Sequence, residues 1–299
     1  MAAVYYQAQA ATAAQTTAQA AALWASMEFA DIDGSWQAIL DELLAAIVLG
    51  QLRAAETPPA YVARVLADDG LRPDPIAVVS PSAFAGRTAV GYSLTVPLRL
   101  TPIRVKQSLL AGKTLPEAAA DGLAFLSMVA ATEVADAGRG AMEAATRLEP
   151  QIVGYERYVN LPACDRCIIL AGRVYRYSEG FLRHPKCDCS HRPLTSRDAR
   201  DGTDQEPSEL FNSLTPEQQD RLFTKDGAEA IRRGADLSQV VNARQGMSAP
   251  GDRFTTVGRG RRRRGQSRQS RLSPQGVARL AGDDDARYLE LLRANRYIT

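Results

Sequence analysis

Histidine, cysteine and tryptophan are scarce: the 299 residues include two His, four Cys and two Trp. With both His beside cysteines, a Ser-His-acid triad has little to draw on. Four Cys in one short segment is too few for a secreted disulfide scaffold. An excess of one charge is also lacking. The 36 basic and 34 acidic residues leave a formal net charge of +2. That excludes a wholly basic nucleic-acid coat and a wholly acidic, solvated chain. No uninterrupted apolar run of about 18 residues occurs, so neither a transmembrane helix nor a membrane partner is expected. The first charged side chain is Glu28. A secretory signal needs a basic start and a denser apolar core, so the opening stretch reads as a helix. There is no phosphate-cradling P-loop and no GxGxxG.

What is present is mostly helical. Ala8 to Met27 has high helix propensity and almost no breakers. Trp36, Ile39, Leu40, Leu43, Leu44, Ile47 and Val48 recur at helical spacing and form one apolar stripe for a core or a partner helix. Residues 1–60 carry one Arg against six Asp and Glu. Pro58-Pro59 opens a further helix that Gly70 ends. Leu71 to Leu100 reads as irregular. Thr101-Pro102 reads as an N-cap with proline at the first helical position. Thr114-Leu115-Pro116-Glu117 is a capping box that launches a long helix, Pro116 to Arg147, with Gly138 and Gly140 as bending points. At Glu149-Pro150 the character changes. Residues 152–161 and 173–177 are rich in β-branched and aromatic residues and predict two strands. Residues 197–212 predict a loop. Thr215-Pro216-Glu217-Gln218 opens another helix, Asp226 to Arg233 a second, and Ser273-Pro274 and Asp283-Asp284-Asp285 two terminal ones. Tyr288, Leu289, Leu292 and Ile298 give the last helix an apolar stripe for docking.

All four Cys and both His fall between Cys164 and His191, in the spacing C-x2-C-x16-H-x2-C-x-C-x-H. Two thiolates two residues apart suit a zinc knuckle, and a second short chelating pair closes a tetrahedron. A small β module with few large apolars would gain its missing core energy from such a metal. Cys164 and Cys167 are the firm ligands. The second pair is His184 with Cys187, Cys187 with Cys189, or His184 with Cys189; His191 is the weakest candidate. A catalytic zinc would need an open position and a nearby acid or base, and nothing assigns Asp165, Glu179 or Asp188 that work.

A second cluster lies near the C-terminus. Arg253, Arg259, Arg261, Arg262, Arg263, Arg264, Arg268 and Arg271 stand against one Asp over residues 251–275. Clustered Arg in a Gly/Ser-rich segment is an electrostatic footprint for phosphate backbones, with Arg259 and Arg261 to Arg264 at its centre. Aromatics are not interleaved, so base stacking is not suggested. A solvated linker or an acidic partner surface fits the same composition.

The segment PACDRCIILAGRVYRYSEGFLRHPKCDCSHRP resembles the signature of the phage Mu F-like minor head proteins, the head morphogenesis proteins, in their actinobacteriophage or prophage form. LFTKDGAEAIRRGADLSQVVNARQGM is similar to the stretch that follows it there. The resemblance extends over most of the chain and is most specific across 155–247. It implies a non-enzymatic virion component, in the capsid interior or at the portal vertex and in the host cytoplasm during assembly. The implied partners are the portal protein and other head proteins, capsid or scaffold, with contact to packaged DNA as a further implication. An oligomeric or portal-bound state is expected. The competing reading is a zinc-module nucleic-acid-binding protein or treble-clef nuclease. The expected architecture is α+β, mainly α-helical with a small β-rich, zinc-stabilised module. The expected segments are a helical assembly domain (1–149), the Cys/His module with its following helices (150–247), and an Arg-rich flexible segment with a C-terminal helix (248–299).

Overall fold

The computed structural model describes residues 2–176, 189–201, 205–257 and 270–298. The chain divides into two compact units: Met1–Asn160 with Arg173–Thr203, and Leu161–Gly172 with Asp204–Thr299.

The first unit is built on helices α1 (Ala2–Trp24), α2 (Ile32–Glu56), α3 (Pro58–Asp68), α4 (Thr95–Leu98), α5 (Leu100–Leu110) and α6 (Leu115–Leu148). The predicted stripe of α2 is inside: Trp36, Ile39, Leu40, Leu43 and Ile47 are buried with Trp24, Leu126, Ala130 and Val134. Burying such side chains contributes about 1.5–3 kcal/mol each. A second cluster joins Tyr61, Val62 and Leu66 of α3 to Met142 and Ala145 of α6, and Tyr5 stacks on Tyr61 with ring centres 4.4 Å apart. The capping box is formed: the Glu117 carboxylate accepts from Thr114 N at 2.8 Å.

α6 is long and apolar enough, by length and composition alone, to cross a membrane. Here α1, α2, α3 and α5 pack along it. It runs unbroken through Gly138 and Gly140. Gly138 gives Gln9 of α1 room to approach, and a Cβ there would overlap the Gln9 amide. Gly50 of α2 does the same against Thr16 and Val134. Thr101 is not an N-cap. The helical course begins six residues earlier, at Thr95, and the buried Thr101 hydroxyl has no hydrogen-bond partner among the described residues.

β1 (Ile152–Val159) is the centre of a three-stranded antiparallel sheet, between β2 (Val174–Tyr175) and β3 (Cys189–Thr195). β3 was not foreseen as a strand. It pairs with β1 from Ile152↔Thr195 to Val159↔Cys189, and as an edge strand it tolerates Pro193. Gly154 lies under β2 so closely that a Cβ would stand 2.6 Å from the Tyr175 carbonyl oxygen.

The second unit holds short helices: Asp165–Ile168, Pro207–Asn212, Pro216–Phe223, Lys225–Arg232, Leu237–Ala243, Pro274–Ala281 and Asp285–Ala294. Pro207–Asn212 falls where a loop was predicted. Residues 254–255 and 271–272 form a two-stranded ribbon. Thr224 alone joins two helices, at a φ of 67° that non-glycine residues seldom adopt. Its hydroxyl accepts from Gly227 N at 3.2 Å and from Gln275 Nε2 at 3.0 Å. The last helix buries Tyr288, Leu291 and Leu292 and packs on Pro274–Ala281.

Of the expected α+β architecture, mainly α-helical with a small β-rich, zinc-stabilised module, the zinc stabilisation is corrected. The protein is mainly α-helical with a small β-sheet region. Among the described residues no group of three or more His, Cys, Asp or Glu could hold a metal ion. Cross-strand packing of buried side chains holds the sheet.

Candidate functional site

Cys164 precedes the one-turn helix Asp165–Ile168 and Cys167 lies within it. Cys164 is its N-cap, accepting from Cys167 N at 3.4 Å, and the two Sγ atoms are 3.4 Å apart. The turn is fixed by its surroundings in the second unit: Arg244 Nη1 donates to Asp165 Oδ2 at 2.6 Å, and the helix packs on Pro207–Asn212. Cys167 and Ile168 are fully buried.

Cys189 and His191 belong to β3, in the first unit. Arg157 Nε donates to Cys189 Sγ at 3.1 Å. His191 meets the Tyr155 ring edge-on at 4.5 Å, and Tyr155 stacks on Tyr175 at 5.5 Å. Beside them Glu156, fully buried, accepts from Arg192 Nη1 at 3.2 Å, and Arg192 Nη2 reaches Asp198 at the same distance. Glu156 and Arg192 are direct cross-strand partners, the geometry in which opposite charges stabilise a sheet.

The expected zinc cofactor is corrected, because among the described residues no group of three or more His, Cys, Asp or Glu could hold a metal ion; the expected metal set was Cys164, Cys167, His184, Cys187 and Cys189. Cys164 and Cys167 supply two donors to a local turn, and the Cys189 sulfur accepts a hydrogen bond within the sheet. His184 and Cys187 lie outside the described residues. So do Arg259, Arg261, Arg262, Arg263 and Arg264. Arg271, counted with that charge run, is 2% exposed. It donates to Val257 O (2.8 Å), Asn295 O (2.6 Å) and Gln239 Oε1 (2.9 Å), and its guanidinium lies 4.1 Å from the Tyr297 ring centre. It ties the ribbon to the C-terminal residues and is spent on structure.

A groove of about 530 Å³ lies between α1 and α6 in the first unit, closed at one end by the start of β3. Its floor is alanine, with Tyr5, Tyr6, Thr17, Thr132 and Met142 along the walls. Arg139, Cys189, Ser190 and His191 make its polar end. Arg139 Nε donates to the Cys189 carbonyl at 3.1 Å and Nη1 to Asp136 at 3.0 Å, so one side chain ties helix to strand. Burial pushes the Tyr5 phenol above its usual range. A groove lined by small apolar residues with a few polar groups at one end is a candidate binding site.

Sequence reasoning did not single out Arg139, although a signal exists: it is the lone cation between Lys113 and Arg147. Gln51 was missed too. It is 1% exposed; its Nε2 donates to Arg87 O (2.8 Å) and Glu133 O (3.3 Å), and its Oε1 accepts from Gly86 N (2.8 Å). That amide pins the loop before α4 to the helices.

The profile of a family described as VG15 protein matches residues 98–213, less than half of the chain. No curated protein matches the chain, and no solved structure does.

Proposed function

We propose that this chain is a minor head protein of a tailed phage or prophage, a non-enzymatic assembly component that associates with the portal and takes part in procapsid assembly. The observation that carries the reading is the Mu F-like pattern: Cys164 and Cys167, the aromatic strand at Tyr175, and His184, Pro185, Cys187 and Cys189. The stretch most specific to that resemblance, 155–247, overlaps the matched family stretch, 98–213, over residues 155–213. The small apolar groove and the exposed alanine face of α1 are surfaces suited to other chains. Portal, capsid and scaffold proteins are the partners in this reading, and the virion is its place.

The test is co-expression with the portal and scaffold proteins of the same genome. The chain is expected to co-purify with the portal and to enter procapsids; procapsids assembled without it bound would sink the reading. Contact with packaged DNA is a second proposal, resting on Arg259 and Arg261 to Arg264 in a Gly/Ser-rich stretch. Each phosphate neutralised adds about −0.9 to the salt slope of log K. Replacing these five arginines by serine should therefore flatten the salt dependence of DNA binding in an anisotropy titration.

A further inference from the structure

From residue 75 to 116 the sequence has five cations and no acidic residue. α4 and α5 lie within this stretch. Arg99 joins them in helical conformation, so the two share one course. Along it Val96, Leu100, Ile103, Gln107 and Leu110 follow at steps of four, three, four and three. The apolar four are 52, 48, 45 and 89% exposed. The opposite face is anchored: Leu98, Thr101, Val105 and Ser108 are buried.

Alternating three- and four-residue steps make the narrow seam that a second helix fills at a shallow crossing angle. In that frame the seam residues are the a and d positions. Arg99 and Lys106 then fall at g and Arg104 at e, the positions that choose a partner by charge. Lys106 is paired with Asp33 at 2.6 Å. Arg99 and Arg104 have no ion-pair partner among the described residues.

We propose that the α4–α5 seam docks an amphipathic helix of another protein, one whose apolar seam is bordered by Asp or Glu. The proposal holds whatever the larger assembly is. A second copy of the same seam is disfavoured, because every pairing of two such helices sets e and g cations against cations. A membrane surface is disfavoured as well. The stripe is one residue wide and carries no aromatic residue, whereas interfacial helices bury a broad face with Trp or Phe.

The experiment uses the full chain and a fluorescein-labelled synthetic peptide of three heptads with Leu at a and d and Glu at e and g. Its twin carries Lys at e and g. The acidic peptide is expected to bind saturably, and at least tenfold more tightly than the twin at low salt. Ile103→Asp should cost at least tenfold, with an unchanged circular dichroism spectrum because the position is exposed. The double variant Arg99→Glu with Arg104→Glu should reverse the preference. Absence of saturable binding, equal affinity for both peptides, or binding unchanged in I103D would overturn the proposal. Dimerisation that I103D abolishes would assign the seam to a second copy instead. Sedimentation with phosphatidylserine vesicles that I103D abolishes would assign it to a membrane.

Discussion

Glu133 sits half-buried on α6, accepting a backbone hydrogen bond from Ala89, with one carboxylate oxygen lacking a partner among the described residues. Burial, reinforced by the charge of Asp136, pushes its carboxyl up to about 7 from the ordinary 4.5. The folded state therefore keeps its proton to higher pH than the unfolded chain does. Its contribution is complete below about 4.5, declines as pH rises, and is gone above about 7. With the side chain partly in water, the swing is about 1 kcal/mol. Glu133→Gln should remove that slope, read as urea midpoints at pH 5 and pH 8. Glu156 is a stronger constraint because it is fully buried. Arg192→Ala withdraws a cross-strand cation from it and should destabilise the fold by about 3 kcal/mol in urea unfolding. Replacing both residues by leucine should recover part of the loss, since the Glu156–Arg192 pair is then removed whole while the partly exposed Asp198 loses its cation.

Among the elements, the three long helices meet through small residues. Gly50→Val would drive a side chain into Thr16 and Val134, at a cost of about 1–3 kcal/mol, visible as a lowered melting temperature. The crossing was not legible in the sequence, where Gly138 reads as a bend, because close approach depends on a partner far along the chain. The capping box at Thr114 and the stripe of α2 were legible, since each is a local pattern within a few turns. β3 was not. Its partner strand lies some thirty residues earlier, and its residues, with His191, Arg192 and Pro193, carry no apolar alternation. The Cys/His spacing misled for a related reason. Closeness along the chain suggested one metal site, but among the described residues no three His, Cys, Asp or Glu side chains gather to hold a metal ion. Arg271 reads as one more cation in a run, and only the fold reveals that carbonyls and an aromatic ring enclose it. Arg271→Ala should unfold the ribbon and free the C-terminal helix, raising amide exchange across residues 271–297.

At the scale of the whole molecule, near-neutrality is an average over unlike parts: an acidic first sixty residues, an acid-free stretch from 75 to 116, and an Arg-rich stretch after 252. The second unit is discontinuous. Its turn at Leu161–Gly172 is separated from the rest by β2, β3 and the chain between them. A fragment beginning at Asp204 would lack that turn, and with it the Asp165–Arg244 ion pair and the packing of Asp165–Ile168 on Pro207–Asn212. It should show weaker protection at Phe211 than the full chain in hydrogen exchange, and adding Leu161–Gly172 as a peptide should restore some of it. The same discontinuity imposes a schedule on synthesis. Asp165 leaves the ribosome 79 residues ahead of Arg244, an interval of roughly 4–16 seconds at ordinary translation rates. Through the first half of that interval Cys167 and Ile168, both fully buried in the finished protein, have yet to meet the Pro207–Asn212 helix. The nascent chain is therefore most exposed to misassociation while its own middle is waiting for its end.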